Sequence, residues 1–160
     1  MNPIACRYPF LVPLAHSLIL GSLIGCGVNV IVHDPDQATK SAIKFVQVVL
    51  IDQDLETGYE LWSEQTKEEV SPQAFMMEMT QVHPRGFPKK VMIHEYQPMP
   101  DQEAMLVFAE GASEDELFFY RIIMSGTARK GYKVQSVFRD RFPAERAASR
   151  DSVPSRLYAL

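Results

Sequence analysis

Cysteine is nearly absent from this sequence: 160 residues contain only Cys6 and Cys26, both ahead of the charged body of the chain. That scarcity excludes a disulfide framework, a cysteine-ligated zinc site and a catalytic thiol in the folded part. An excess of positive charge is missing as well. Sixteen Lys and Arg face twenty Asp and Glu, a net charge of −4, and no basic stripe is present to follow a phosphate backbone, so nucleic acid is excluded as a partner. The sequence also lacks a phosphate loop, a serine-nucleophile elbow, a zinc-protease motif and any internal repeat, so no cofactor and no metal are expected. What it does have is 46% hydrophobic and 22% charged residues, which is the composition of one globular domain at a length too short for two.

Residues 8–32 carry no Asp, Glu, Lys or Arg, and Arg7 is the lone positive charge before them. An apolar stretch after a positive start is the pattern of an export segment. Leu23-Ile24-Gly25-Cys26 resembles the lipobox of bacterial lipoproteins: an aliphatic residue, a tolerated one, a small one, then cysteine. The resemblance implies that residues 1–25 are a cleaved lipoprotein signal peptide and that Cys26 carries a diacylglycerol on its sulfur. Two or more acyl chains hold a soluble domain stably at a membrane, where one chain binds only marginally. Gly27 follows the cysteine instead of an Asp, which in the lipoprotein pattern leans toward the outer membrane, facing the periplasm, over the inner membrane. The alternative is an uncleaved membrane helix, since the charge-free run exceeds the roughly 20 residues needed to span. Pro9, Pro13 and His16 weigh against it.

Residues 26–35 then form a lipidated N-terminus and linker, and residues 36–142 the domain. Asp34-Pro35-Asp36 is a helix start, and Ala38, Ala42, Phe45, Val46, Val49 and Leu50 recur at helical spacing up to Asp52. Leu55, Tyr59 and Trp62 mark a short second helix, Ser63 to Val70 reads as a charged connector, and Ser71-Pro72 opens a third helix that stops before Pro84. Beyond Pro88 the period falls to two. Lys89–Gln97, Glu103–Ala109, Glu116–Ser125 and Gly131–Arg139 are strand candidates joined by short turns, which predicts an antiparallel meander. Residues 143–160 have no core-sized apolar face and read as a loose tail. The fold class is therefore α+β, with three N-terminal helices packed on a four-stranded antiparallel sheet.

That order, with Ala42-x-x-Phe45-Val46, Asp54-Leu55-Glu56-x-x-Tyr59-x-Leu61-Trp62-Ser63 and Ser71-Pro72-x-x-Phe75, resembles the cone-shaped superfamily named for nuclear transport factor two. The resemblance covers residues 36–140 and rests on packing positions. Gly58 stands where such proteins more often have alanine. It implies a strongly curved sheet closed on one side by helices, a tapered hollow of the kind in which ligands bind, and a homodimer through the open sheet face. Activity varies widely within the superfamily, so the site has to decide.

Regular alternation puts His94 and Tyr96 on one face of the first strand with Met92, and Glu95 on the other with Ile93. If the His94 face lines the hollow, an imidazole and a phenol opposite Tyr120 supply an acid, a base and an oxyanion donor for proton transfer at a carbonyl. The plainer reading is a strand histidine facing solvent or making one hydrogen bond. Isomerase-like members of the superfamily use a buried Asp, and no Asp falls within a strand candidate here. Met76, Met77 and Met79, with His83 four residues after Met79, have soft-metal ligand types, but methionines at helical spacing are ordinary core filler. Arg139-Asp140-Arg141 with Arg146 and Arg150 forms a modest basic cluster.

Two functions follow. The first is a non-enzymatic envelope lipoprotein, held to the membrane through Cys26, whose domain docks or assembles with another envelope protein. The alternative is a cone-pocket protein for a small apolar ligand, or an isomerase-like enzyme, with Trp62, His94, Tyr96, Phe118 and Tyr120 as candidate pocket lining.

Overall fold

The structure, a computed structural model, describes residues 30–140 and the pair Asp151–Ser152. The lipobox with Cys26 and the rest of the C-terminal tail lie outside the described residues. Asp34 opens α1 (Pro35–Phe45) as its sequence predicts: the carboxylate accepts the Gln37 N–H at 3.0 Å, and Pro35 sits in the first turn, where no amide bond is lost. The helix runs on as a π-helical segment, Val46–Ile51, so that Phe45, Val46, Val49 and Leu50 are all buried. Asp54 caps the short α2 (Leu55–Tyr59) through the Thr57 N–H.

The predicted charged connector is a helix instead, α3 (Glu64–Glu69), which buries none of its residues. What holds it is polar. Ser63 caps it through the Thr66 N–H, and the Thr66 hydroxyl donates to the Gln135 carbonyl at 3.0 Å. The third predicted helix thus becomes α4 (Pro72–Val82), capped by Ser71, and four α-helices precede the sheet where three are predicted.

The sheet is an antiparallel meander of β1 (Lys90–Pro98), β2 (Ala104–Ala112), β3 (Leu117–Thr127) and β4 (Gly131–Asp140). A fifth, two-residue strand, β5 (Asp151–Ser152), pairs with Glu95 and Tyr96 at the β1 edge. The opposite edge is also covered: Ser63 N–H donates to the Val134 carbonyl at 2.7 Å and Val134 N–H to the Leu61 carbonyl at 3.0 Å. Each edge of the sheet is thus paired over a short stretch, at Glu95–Tyr96 on β1 and at Val134 on β4, which shortens the run of open backbone available for edge-to-edge association.

One face of the sheet meets the helices. Val91, Ile93, Met105, Val107, Phe118, Tyr120, Ile122 and Met124 join Phe45, Leu50, Phe75 and Met79 in one continuous core. Each fully buried side chain of this size stabilises the fold by about 1.5–3 kcal/mol. Gly58 permits the close approach of α2 to the π-helical segment, because a Cβ there would fall 2.2 Å from Val49 Cγ2. At the β3–β4 turn Gly126 has φ +141°, and a Cβ would fall 1.8 Å from the Gly131 carbonyl oxygen, a position that only glycine fills.

Candidate functional site

The densest polar arrangement in the core lies at the C-terminus of α4. Pro84 prevents the helix from continuing, and His83 leaves it with φ −122°, turning its ring back toward the preceding turn. Nδ1 lies 2.8 Å from the Met79 carbonyl and Nε2 lies 2.8 Å from the Tyr120 hydroxyl. A carbonyl only accepts, so Nδ1 carries the proton and donates; Nε2 is left to accept the Tyr120 O–H. Both ring nitrogens are then committed. The imidazole stacks on Phe87 at 4.4 Å between centroids, with Phe118 at 6.0 Å.

His83 is 4% exposed and Tyr120 2%. Burial pushes the His83 pKa below its ordinary value; the Met79 bond opposes this, and the weaker effects of the Arg139 guanidinium, which lowers it, and of Glu116, which raises it, follow. Burial raises the Tyr120 phenol well above the usual tyrosine range. Both groups are therefore held neutral at pH 7.

Arg139, from the end of β4, closes this cluster on its outer side. Its guanidinium lies 4.5 Å from the Phe118 ring centroid and donates to the Val82 carbonyl and to Glu116. A cation on the last carbonyl of α4 complements the negative end of the helix. Two open clefts flank the cluster. One, of about 550 Å³, runs between Gln81, Arg85, Glu116, Leu117 and Arg139. The other, of about 590 Å³, is lined by Ile51, Arg85, Phe87, Lys89, Glu114 and Asp115. Neither His83 nor Tyr120 lines either cleft, so the imidazole acts as a packing and hydrogen-bonding element between α4 and β3.

Of the candidate pocket residues, Trp62, Phe118 and Tyr120 all enter the core. Trp62 packs edge-on against Phe75 at 4.9 Å, and its Nε1 has no hydrogen-bond partner among the described residues. The expected His94–Tyr96 face does not form. The β1–β2 register shifts between Ile93 and Glu95, which leaves half-buried His94 as the extra residue of a β-bulge. Beyond it Tyr96 pairs with Val107 and packs on the core side with Ile93, whereas Glu95 pairs with Phe108 on the other side.

The expectation of a sheet without Asp also needs correction: β4 extends to Asp140, whose two oxygens accept from Arg121 at 2.7 and 2.9 Å. That carboxylate is half-exposed and paired, unlike a buried base. The methionines diverge, with Met77 exposed and Met79 in the core, and both His83 nitrogens are already engaged. Among the described residues no group of His, Cys, Asp and Glu converges on a metal position, and no helix is long and apolar enough to cross a membrane. Sequence reasoning paired Met79 with His83 at the right spacing, but that spacing serves a side-chain bond to the helix backbone. Nothing in the sequence pointed to Tyr120 as its partner. Comparison of the chain with protein families, curated proteins and solved structures finds no match.

Proposed function

We propose that this chain is a lipid-anchored protein of the bacterial envelope, facing the periplasm from the outer membrane, whose cone-like domain docks another envelope protein and catalyses no reaction. The observation that carries the reading is the sheet face turned away from the helices. Leu117 is 57% exposed and Phe138 45%, with Met92 also exposed, and Phe119 and Ile123 alternate onto the same side of β3. Arg121 lies 5.5 Å from the Phe138 ring centroid and is held by Asp140, so an arginine and an aromatic stand together amid apolar surface. Such residues dominate protein interfaces. A homodimer through the same face is the form of this reading that the cone-like resemblance implies.

The test begins with the intact mass of the protein recovered from membranes of an export-competent bacterial host. A wild-type mass of residues 26–160 plus acyl chains, with Cys26→Ser unacylated, supports the anchor; a full-length unmodified chain overturns it. Photo-crosslinking from position 138 in the same cells then reads the docking face. An identified envelope protein, or a second copy of the chain, that is lost with Leu117→Glu supports docking, and crosslinks unaffected by that change sink it.

The second reading, a pocket for a small apolar ligand, has one observation in its favour: buried Trp62 Nε1 without a partner among the described residues. A ligand that raises Tm in wild type and fails to do so in Trp62→Phe would support it.

A further inference from the structure

The chain enters the domain at a fixed place. The Val32 carbonyl accepts the Ala128 N–H at 3.0 Å, and the Asp34 N–H donates to the Tyr132 hydroxyl at 2.9 Å. Both partners belong to the β3–β4 hairpin, so the polypeptide is pinned from Val32 onward to one end of the sheet. The β1–β2 turn lies at that same end: Pro98 pairs with Met105, Ala104 pairs with Ser125, and the Gly126 N–H donates to the Glu103 carbonyl at 2.7 Å. The His83 cluster and its two clefts lie at the other end, where β3 begins and β4 finishes.

Between Cys26 and Val32 there are six Cα–Cα steps, which at full extension span about 20 Å. The eleven residues of β3 measure about 36 Å at a strand's rise. A lipid on Cys26 therefore holds the Val32 end near the bilayer, on a tether shorter than the domain is long. The surface at that end suits a bilayer. Val30 is 74% exposed and Val32 58%, and Val30, Ile31, Pro98, Met99 and Pro100 line a cleft of about 410 Å³ with His33 and Asp101. The charges there offset one another in number, since Lys130 pairs with Glu103, and the two turns add one exposed cation, Arg129, and one exposed anion, Asp101. Neither a strongly anionic nor a strongly cationic partner is selected.

We infer that the domain rests on the membrane by this end, with Val30, Val32, Met99 and Pro100 in the headgroup interface and the clefts beside Arg139 directed away from it. The inference rests on the Cys26 anchor of the proposed function. A shallow apolar contact of this size is weak alone, and the short tether makes it persistent by effective concentration.

The experiment uses the full acylated chain reconstituted in phosphatidylcholine vesicles that contain a headgroup-spin-labelled lipid. A fluorophore is placed on the introduced thiol of Met99→Cys or, at the far end, of Glu114→Cys. The expected result is quenching of the Met99→Cys label about threefold stronger than that of the Glu114→Cys label, insensitive to added salt, and reduced when Val30→Asp and Val32→Asp are added. Equal quenching at the two ends, stronger quenching at position 114, or no effect of the two Asp substitutions overturns the orientation. Intact mass separates the two failures: an unacylated chain defeats the anchor and the inference together, whereas an acylated chain with equal quenching defeats the inference alone.

Discussion

His94 and Tyr96 stand two residues apart in the sequence, whereas His83 and Tyr120 are separated by 37 positions. The near pair is divided by the structure: the bulge at His94 puts it out of register, and Tyr96 returns to the core face. The distant pair is joined at 2.8 Å inside the core. The difference teaches that a period of two assigns faces only while the ladder stays regular, because one extra residue reverses every face beyond it. It also shows two environments. His94 lies half-buried on an interrupted strand near the sheet edge, while His83 sits between a helix end and a central strand where water cannot replace a lost partner.

The largest test of this contrast is Tyr120→Ala. Loss of a buried ring from the core should lower stability by about 3–5 kcal/mol in denaturant unfolding, and an equal loss for Tyr96→Ala would erase the distinction between the pairs. Tyr120→Phe sharpens it, because the ring stays and only the hydroxyl leaves. The His83 Nε2 is then buried without its donor, at a cost of about 1–3 kcal/mol; no measurable cost would mean that the bond is not stabilising.

Acid gives a third test. The His83 pKa is lowered in the folded protein from an ordinary value of 6.5, so the unfolded chain takes up its proton first as pH falls. Stability contributed by the neutral imidazole is thus fully present above about pH 6.5 and is lost as pH falls from there through the lower folded value. The slope of stability against pH below about 6.5 should be shallower in His83→Gln than in wild type. An unchanged slope in His83→Gln would break the comparison. Smallest of all, His94→Ala should shift unfolding by no more than about 0.5 kcal/mol, and a larger loss would show that the bulge residue carries a buried interaction.

Much of the helical layer is legible because its signals are local. Asp34 and Ser71 cap the helices they precede, and each is followed by proline at the first helical position. The apolar spacing from Ala38 to Leu50 announces a buried face. The helix Glu64–Glu69 is missed for the complementary reason: it buries nothing, and its anchoring bond reaches 69 residues along the chain to the Gln135 carbonyl. Gly58 reads in the sequence as a departure from a resemblance, and the contact that requires it, with Val49, appears only on folding. The same limit applies to the cluster around His83. Its local half, the bond to Met79, follows from a four-residue spacing at a helix end, but Tyr120, Phe118 and Arg139 arrive from strands whose register no local pattern specifies.

By itself the sequence determined that helices precede an antiparallel sheet, the lack of the familiar nucleotide and metal motifs, and the resemblance at Cys26 that directs the functional reading. These depend on composition, on caps and on periodicities that act within a few residues. Tertiary structure alone decided which histidine meets a tyrosine, which face of β1 carries Tyr96, and that the chain enters at the sheet end opposite the His83 cluster. Each of those depends on strand register and on backbone groups far apart in the chain, and a hydrogen bond or a packed ring selects its partner by position in space.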